Sequence, residues 1–201
     1  MKSEDWDSRY AGSELLWTAD ANRFLVAEAS DFAPGRALDL ACGEGRNAVW
    51  LAERGWTVRG VDFSGVALEK AKKLAKARGV DAEWVHADLL EYGPEPAAYD
   101  LVVVLYLQIP AAERRTVLRR AAGALAPGGV LLVVAHDSSN LEHGWGGPRD
   151  PAVLYDATDV RGDLAETGVE IERADVVERP VDSPDGEKIA LDLLLRARAA
   201  S

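Results

Sequence analysis

The fold of this chain is decided by the stretch Arg36-Ala-Leu-Asp-Leu-Ala-Cys-Gly-Glu-Gly-Arg-Asn-Ala-Val-Trp-Leu51. Residues 37–41 form an apolar run that predicts a buried strand, and a glycine turn at residues 42–45 interrupts it. From residue 46 onward the apolar residues recur at helical spacing. A strand, a glycine turn and a helix in this order are typical of the start of a nucleotide-binding βαβ unit. The turn therefore predicts a ligand site, because glycine has no Cβ to stand between the backbone and a ligand.

The charge of this turn narrows the kind of ligand. The match to G-x-G-x-x-G is loose, since its third position is Ala48, and a tight turn without a ligand is the alternative. Asp39 in the strand and Glu44 in the turn place negative charge where a pyrophosphate would bind, and like charges at short range are costly. The pattern favours a cationic ligand without phosphate, and S-adenosylmethionine is such a ligand.

Leu38-Asp-Leu-Ala-Cys-Gly-Glu-Gly45 resembles the first motif of the class I S-adenosylmethionine-dependent methyltransferases, which is an apolar strand, an acid and a G-x-G turn. The resemblance continues along most of the chain. It implies an α/β, Rossmann-like, doubly wound sheet of seven strands, mostly parallel with an antiparallel C-terminal strand, and helices on both faces. It also implies S-adenosylmethionine as the cofactor, with transfer of its methyl group to an acceptor.

Length and composition predict one domain in a reducing compartment. The chain has 201 residues, is 48% hydrophobic and contains one cysteine, which cannot form an intrachain disulfide and suits the cytoplasm. We expect a single methyltransferase domain, with a lid or cap segment at 1–34 and a Rossmann-like core at 35–201 that carries a loop insertion at 137–155. The acidic start lacks the apolar core of a secretory signal, and no apolar run approaches the roughly 18 residues of a membrane helix.

The net charge predicts the partner class. A formal charge of −11 disfavours nucleic acid and anionic membranes as partners, because both attract a basic face. A small-molecule acceptor is therefore expected, and the sequence does not indicate an oligomeric state.

Aromatic residues cluster before the first strand. Trp6-Asp-Ser-Arg-Tyr10 is followed by Trp17, and a helix is predicted from Asp20. Such aromatics either seal the end of a core or cover a ligand. The segment resembles that of the small-molecule branch that includes thiopurine and tellurite methyltransferases, which implies a lid in which Tyr10 and Trp17 contact the cofactor.

Asp62 is the acid expected to hold the ribose. It ends the predicted strand 57–62 and follows Gly43 by 19 residues, close to the spacing of about 20 at which a βαβ unit presents an acid to ribose hydroxyls. The alternative is a helix-capping aspartate, but Ser64 already occupies the N-cap position of the next helix.

The resemblance places further cofactor contacts along the chain. Asp88 follows the third predicted strand, 82–86, and matches the acid that accepts from the adenine amino group; a loop acid or an N-cap is its alternative. The remaining positions that the resemblance implies for the cofactor lie in or beside the motifs: Asp39, Ala41, Gly43, Gly45, Arg46, Asn47, Phe63, Leu89 and Leu105.

The acceptor side is predicted after the strand 99–105. There Tyr106-Leu-Gln-Ile-Pro110 replaces the Asn- or Asp-Pro-Pro-Tyr tetrapeptide of enzymes that methylate nucleobase amines or glutamine, which disfavours a nucleic-acid amino group. Tyr106 either lines the acceptor pocket or packs. The insertion 137–155 is polar and glycine-rich, and long loops in compact domains are usually functional or mobile.

Three residues are candidate catalytic groups, namely Tyr106, His136 and His143. The sequence does not select one of them. A histidine could accept a proton from the acceptor, and a plain surface loop is the alternative. His136, Asp137 and His143 fit no standard metal signature, so no metal is expected. Cys42 is expected to be an inert buried thiol.

The chain is predicted to end in a helix capped by Thr158 or Asp159 and a hairpin. The strands 169–179 and 187–198 flank a Pro-Asp-Gly turn, and the alternation in the last strand predicts one wetter face that carries Asp192 and Arg196. A terminal antiparallel strand is a hallmark of the methyltransferase fold.

Two other functions are compatible with the βαβ unit. An NAD-dependent oxidoreductase uses the same fingerprint, but Asp39, Glu44, Asp88 and the terminal hairpin count against it. A non-catalytic cofactor-binding protein would keep the pocket without turnover. The sequence does not distinguish O, N, S and a metalloid as the acceptor atom.

Overall fold

All strands of the described residues join one sheet. The computed structural model describes residues 3–12, 15 and 18–201, with the side chains from residue 5 onward. The strands are β1 Arg36–Leu40, β2 Thr57–Asp62, β3 Glu83–His86, β4 Tyr99–Leu105, β5 Leu125–His136, β6 Val169–Ser183 and β7 Gly186–Ala199. The helices are α1 Ser3–Ala11, α2 Arg23–Ala29, α3 Arg46–Glu53, α4 Gly65–Arg78, α5 Ala111–Gly123, α6 Asn140–His143 and α7 Ala157–Leu164.

The sheet has the topology that the sequence predicts. Its strand order is β3-β2-β1-β4-β5-β7-β6. The first five strands are parallel, and β7 runs antiparallel to both of its neighbours, β5 and β6. The chain moves outward from β1 in one direction and from β4 in the other, which makes the carboxyl ends of β1 and β4 the switch point. Open α/β sheets bind their ligands in the crevice at such a point.

The core lies on both faces of the central strands. In β4 the alternation of a pleated strand sends Val102 and Val104 to the cluster under α5 and α7, and Leu101 and Val103 to the cluster under α2 and α3. All four side chains are fully buried. A strand that is buried on both faces has a continuous run of apolar residues in its sequence, as residues 101–105 have.

Two helices start elsewhere than predicted, because other side chains cap them. Asn22, and not Asp20, precedes α2, and its side chain accepts hydrogen bonds from the N–H groups of Phe24 and Leu25. Asp156 caps α7 and forms a capping box with Asp159, so the predicted caps at Thr158 or Asp159 are one turn too late.

Two other segments also differ from the sequence prediction. The segment Ala126-Pro-Gly-Gly129, whose proline and glycines are typical of a turn, belongs to β5, and the pairing of β5 with β4 shifts its register there. The predicted loop 137–155 contains α6 and a 3-10 turn at Pro151–Val153. Across the described residues, no helix combines the length and the apolar character needed to cross a membrane.

Candidate active site

The glycine turn after β1 is shaped partly by packing. Gly45 precedes α3 with a φ of +80°, a conformation that glycine adopts readily. A Cβ on Gly45 would lie 2.6 Å from the Cβ of Ala71 and 2.7 Å from the ring of Trp84. Gly45 is therefore required by the close approach of α4 and β3, and its contact with a ligand stays a prediction.

Asp62 fastens this turn to the end of β2. Its Oδ2 accepts a hydrogen bond from the N–H of Gly43 at 2.8 Å, and its Oδ1 accepts one from the N–H of Ser64 at 2.8 Å. Burial raises the pKa of this carboxyl, while the backbone N–H groups partly offset the shift. Ser64 caps α4 through its own hydroxyl, which accepts from the N–H of Ala67, so the side chain of Asp62 is not needed as the cap.

Asp39 is a buried acid beside the turn. Its side chain is fully enclosed, and its Oδ2 has no hydrogen-bond partner within the described chain. Burial raises the pKa of Asp39 to about 7, and the nearby charge of Asp62 adds to the shift, which the N–H of Ala48 partly offsets. A carboxyl in this state can compensate a cation that reaches the turn.

The three unpartnered buried side-chain atoms of the described chain lie close to the carboxyl ends of β1 and β5. They are Oδ2 of Asp39, Nδ1 of His136 and Oδ2 of Asp137. Nδ1 of His136 lies 3.2 Å from Oδ1 of Asp192. The two carboxylate oxygens are therefore the atoms that indicate a ligand site at this edge of the sheet, because buried polar atoms are nearly always paired in native proteins.

Glu44 does not contribute free negative charge to the turn, which corrects the sequence interpretation. Its side chain is buried, and its Oε1 lies 3.1 Å from Nζ of Lys70 on α4. The ion pair neutralises Glu44, so the acidic character of the crevice comes from Asp39 and Asp62.

Helix α1 covers the glycine turn. Tyr10 is 5% exposed, and its hydroxyl oxygen lies 3.0 Å from the position that a Cβ on Gly43 would occupy. Trp6 stacks on the ring of Tyr10 with centroids 5.6 Å apart. The turn thus has an aromatic cover, although Trp17, the other predicted aromatic contact, lies outside the described residues.

Two charged side chains attach α1 to α4: Asp7 contacts the start of α4, and Lys70 contacts the end of α1. Asp7 accepts hydrogen bonds from the hydroxyl of Ser64 and the N–H of Val66 at the start of α4. Lys70 donates from Nζ to the carbonyl oxygen of Tyr10 at 2.6 Å. These positions suit the helix dipoles, because an acid stabilises the N-terminus of a helix and a cation the C-terminus.

Other predicted cofactor residues also lie at this edge. Arg46 is half-buried in the first turn of α3, where burial lowers its pKa. Ala41 has a φ of +60° directly after β1. Asn47 uses its side-chain oxygen to accept from the N–H of Asn22 at 2.8 Å, so it joins α2 to α3. Leu105 is nearly buried at the end of β4.

Further predicted cofactor positions lie after β2 and β3, among them Asp88, the residue predicted to contact adenine. Asp88 is exposed and accepts a hydrogen bond from the N–H of Leu90 through Oδ1. The carbonyl oxygen of Phe63 lies 2.8 Å from Nε2 of His86, and the carbonyl oxygen of Leu89 accepts from Arg120. Asp88 therefore forms a local turn and keeps its second carboxylate oxygen for another donor.

A second cluster surrounds Asp192 on the other side of the switch point. The Asp192 side chain is fully buried, and its Oδ2 accepts from the hydroxyl of Tyr106 at 2.7 Å and from Nε of Arg179 at 2.6 Å. Nδ1 of His136 lies 3.2 Å from its Oδ1. Burial acts to raise the pKa of Asp192, but the contacts from His136, Arg179 and Tyr106 outweigh it and lower the pKa.

The sheet itself brings this cluster together. His136 at the end of β5 is the register partner of Asp192 on β7. Tyr106 follows β4 with a φ of +59°, and its ring centroid lies 5.0 Å from that of His136. Burial, followed by the charge of Asp192, raises the pKa of Tyr106. Tyr106 is therefore tied to a polar network and does not merely pack.

Asp192 and Arg179 are the members of this cluster that the sequence analysis missed. The alternation in the last strand assigned Asp192 to a wetter face, but β7 lies between β5 and β6 and both of its faces are covered. The signal that could have found Asp192 is an acid within a strand flanked by leucines on both faces, since a buried acid requires partners.

The third candidate, His143, is not brought into the cluster. It lies on α6 with an exposed side chain, and its Nε2 is 3.8 Å from Glu142. Within the described ranges no group of three or more His, Cys, Asp or Glu residues could hold a metal ion. Cys42 is buried, and burial raises the pKa of its thiol well above the ordinary value.

Comparison with known proteins assigns the central part of this site. Residues 37–129 match a family model described as a methyltransferase domain. This segment is similar to the methyltransferase domains of that family. It contains the glycine turn, Asp39, Asp62, Asp88 and Tyr106, which lie on the two sides of the switch point.

Curated relatives share this domain. The demethylmenaquinone methyltransferase of Thermus thermophilus is 36% identical over 125 residues, which are 61% of this chain and 55% of that protein. The ribosomal RNA small subunit methyltransferase C of Alcanivorax borkumensis is 34% identical over 51% of this chain and 33% of its own length. The chain spans from one third to just over half the length of these relatives.

Solved structures share the fold over almost the whole chain. The N-methyltransferase NodS from Bradyrhizobium japonicum, in complex with S-adenosyl-L-homocysteine, aligns with a TM-score of 0.75 at 21% identity, covering 100% of both chains. A chain from work on the conversion of a disulfide bond into a thioacetal group during echinomycin biosynthesis aligns with a TM-score of 0.78 at 24% identity, covering 98% of this chain and 92% of that one. At these identities the likeness shows the fold, and it confirms the predicted Rossmann-like sheet with its antiparallel strand.

Proposed function

We propose that this chain transfers the methyl group of S-adenosylmethionine to a small-molecule acceptor by in-line displacement. The observation that carries the proposal is the enclosed carboxyl of Asp39, whose Oδ2 lacks a partner beside the glycine turn. A cationic ligand fits this position, and a diphosphate does not, because a second negative charge in a buried site is costly. When bound, S-adenosylmethionine supplies an electrophilic methyl group on a positively charged sulfur.

The residues on the β1–β2 side bind and orient this cofactor. Each carboxylate oxygen of Asp62 accepts one backbone hydrogen bond, and a carboxylate oxygen can accept a second from a ribose hydroxyl. Asp88 keeps the adenine role that the resemblance implies. Arg46, half-buried at the start of α3, carries a positive charge suited to the carboxylate of the cofactor.

The N-terminal segment 1–34 acts as the cover of the site, and residues 35–201 form the core. Tyr10 lies against Gly43, where it shields the turn from water. Methyl transfer depends mainly on alignment and exclusion of water, and holding two reactants in attack geometry can lower a barrier by roughly 7–11 kcal/mol. A strong catalytic group is not required for every acceptor.

A small molecule is the proposed acceptor. The net charge of −11 supports it, since nucleic-acid binding rewards a basic surface. The aromatic N-terminal segment supports the branch with thiopurine and tellurite methyltransferases. Some relatives carry RNA methyltransferase names, among them a tRNA 5-carboxymethoxyuridine methyltransferase of Escherichia coli, so RNA belongs in the acceptor test. The single, buried, free cysteine supports a cytoplasmic location.

Calorimetry with S-adenosylmethionine, S-adenosylhomocysteine and NAD tests the cofactor. We expect both sulfur compounds to bind and NAD not to bind, and binding of NAD alone would reverse the assignment to an oxidoreductase. Release of S-adenosylhomocysteine is then measured with small phenols, thiols and amines, and with unmodified tRNA and ribosomal RNA fragments. Turnover with RNA alone would contradict the small-molecule acceptor, and binding without turnover on any acceptor would favour a non-catalytic protein.

A further inference from the structure

We propose that His136 removes the proton of a phenolic hydroxyl on the acceptor, and that Asp192 positions the imidazole for this step. The inference rests on the proposed function and names the acceptor class of the same site. It starts from the place of the two residues beside the switch point, where His136 and Asp192 are register partners on β5 and β7. His136 ends β5, and β4 separates β5 from β1, whose end carries Asp39.

Asp192 is held as a rigid carboxylate. Nε of Arg179 and the hydroxyl of Tyr106 donate to its Oδ2. Its Oδ1 accepts from Nη2 of Arg179 at 3.4 Å and lies 3.2 Å from Nδ1 of His136. Since Asp192 is fully buried and paired with a guanidinium, it stays ionised and acts only as an acceptor. A hydrogen bond to an acceptor at one ring nitrogen places the proton on that nitrogen.

The proton is therefore assigned to Nδ1, and the lone pair of the neutral ring lies at Nε2. In this structure Nδ1 and Oδ1 of Asp192 are 3.2 Å apart without forming a hydrogen bond. Catalytic hydrogen bonds are often long or misaligned in free enzymes and tighten in the complex with substrate. Within the described chain no contact occupies Nε2 of His136.

Backbone contacts hold His136 in place beneath the insertion 137–155. The N–H of His136 donates to Oε1 of Gln108 at 2.9 Å, and Nε2 of Gln108 donates to the carbonyl oxygen of Val153 at 2.6 Å. A Cβ on Gly147 would lie 2.9 Å from Nδ1 of the ring, so the insertion packs directly on the imidazole. Gln108, in the segment that follows β4, therefore contacts both His136 and the insertion 137–155 that packs on it.

The step balances without any further reactant. Nε2 of His136 accepts the hydroxyl proton, the electron pair of the O–H bond forms the new bond from oxygen to the methyl carbon, and the bond from that carbon to sulfur breaks with its electrons left on sulfur. The imidazolium is stabilised by the carboxylate of Asp192 and then loses its proton to water. Asp192 remains ionised throughout, as the acid does in other Asp–His pairs.

The chemistry selects a phenol among the possible acceptors. A thiol, with an ordinary pKa of about 8.5, is already partly ionised near neutral pH and needs little help. A phenol, with a pKa of about 10, is almost wholly protonated and gains from a base. Imidazole suits this task, because the most efficient base has a pKa near the working pH.

The test compares substituted phenols of graded acidity with the matching thiophenols, using release of S-adenosylhomocysteine as the readout. We expect His136→Gln to lower kcat for phenols about 10²–10⁴-fold, most strongly for the least acidic ones, with little change in KM. Thiophenol turnover should fall only a few-fold. Asp192→Asn should show the same selectivity for phenols to a smaller degree.

Asp163→Asn is the matched control for a lost buried acid. Asp163 is also fully buried, but it lies on α7 and pairs with Arg114 and Arg115 on α5, which are not members of the Asp192 cluster. This variant should keep the ratio of phenol to thiophenol turnover whatever its effect on stability. An equal fall of both turnover rates in His136→Gln, retained phenol turnover in that variant, or wild-type turnover of thiophenols alone would overturn the inference.

Nitrogen NMR of the three histidines gives a readout that does not depend on the acceptor. We expect His136 to carry its proton on Nδ1 and to lose this preference in Asp192→Asn; a proton on Nε2 in the wild-type protein would overturn the inference. Failure of S-adenosylhomocysteine to bind the wild-type protein would remove the proposed function itself. Normal binding with the wrong tautomer would remove only the role of His136.

Discussion

The backbone N–H of Gly43 donates to Oδ2 of Asp62 over 2.8 Å, which ties the turn after β1 to the end of β2. One carboxylate therefore both shapes the turn and faces the crevice. We expect Asp62→Ala to reduce the affinity for S-adenosylhomocysteine by about 1–3 kcal/mol, the cost of removing a partner from buried hydrogen bonds. Calorimetry measures the loss.

Asp100→Asn is the control for Asp62→Ala. Asp100 also accepts a backbone hydrogen bond, from the N–H of Arg36 at 2.7 Å. This contact lies at the amino ends of β4 and β1, whereas Asp62 lies at the carboxyl end of β2. It should leave the affinity unchanged. An Asp62→Ala protein that binds as tightly as the wild type would contradict the ribose role.

Asp39→Asn should stabilise the protein at alkaline pH. The pKa of Asp39 is about 7 in the folded protein and about 3.9 in an unfolded chain. Ionisation of Asp39 therefore lowers the free energy of unfolding. The loss is close to zero below pH 4 and on the order of 4 kcal/mol above pH 7. Urea unfolding should show a gain for the variant at pH 8 and almost none at pH 4. A gain that is the same at both pH values would contradict the shifted pKa.

Binding of the cofactor should release a proton at pH 6. Asp39 is mostly protonated there in the free protein, and a cationic group nearby favours its ionised form. Calorimetry of S-adenosylmethionine in two buffers with different ionisation enthalpies measures the release, which we expect to approach one proton and to vanish in Asp39→Asn. Equal heats in the two buffers for the wild-type protein would show that Asp39 does not face the bound cation.

Gly45→Ala should destabilise the fold by about 2–5 kcal/mol. The new Cβ would contact Ala71 and Trp84 at less than 3 Å, which adds overpacking to the strain of a positive φ. Gly79→Ala is the matched control, since its φ is +69° but nothing lies within 4 Å of its Cβ position. It should cost about 1 kcal/mol. Similar losses in chemical denaturation would show that conformation alone matters at Gly45.

Asp7→Ala should loosen α1 without unfolding the core. The variant removes the acceptor for Ser64 and for the N–H of Val66. Amide hydrogen exchange in residues 3–12 should rise, turnover should fall, and the thermal midpoint of the core should hardly move. Glu69→Ala, which removes an exposed ion pair with Lys72 on α4, should change none of these. Removal of residues 1–18 should damage turnover more than stability, and an equally active truncated protein would contradict the lid.

The features that sequence reasoning could find depend on local geometry. The position of Asp62 follows from the fixed length of a βαβ unit, and the terminal hairpin follows from a turn motif between two alternating runs. Asp192 could not be found in this way, because its burial depends on which strands flank β7. The pairing of Glu44 with Lys70 likewise depends on how α3 packs on α4, and no spacing rule encodes that contact.

The antiparallel strand β7 has a consequence for how this protein could change its substrate. Asp39, Asp62 and Asp88 lie on the first half of the chain, whereas His136, Arg179 and Asp192 come from β5 and the terminal hairpin. The matched domain, residues 37–129, ends before all three of the latter. A chimera that exchanged residues 136–201 would keep the three acids proposed to bind the cofactor and replace the three residues proposed for the acceptor side, so recombination just before the last residue of β5 offers a route to new specificities.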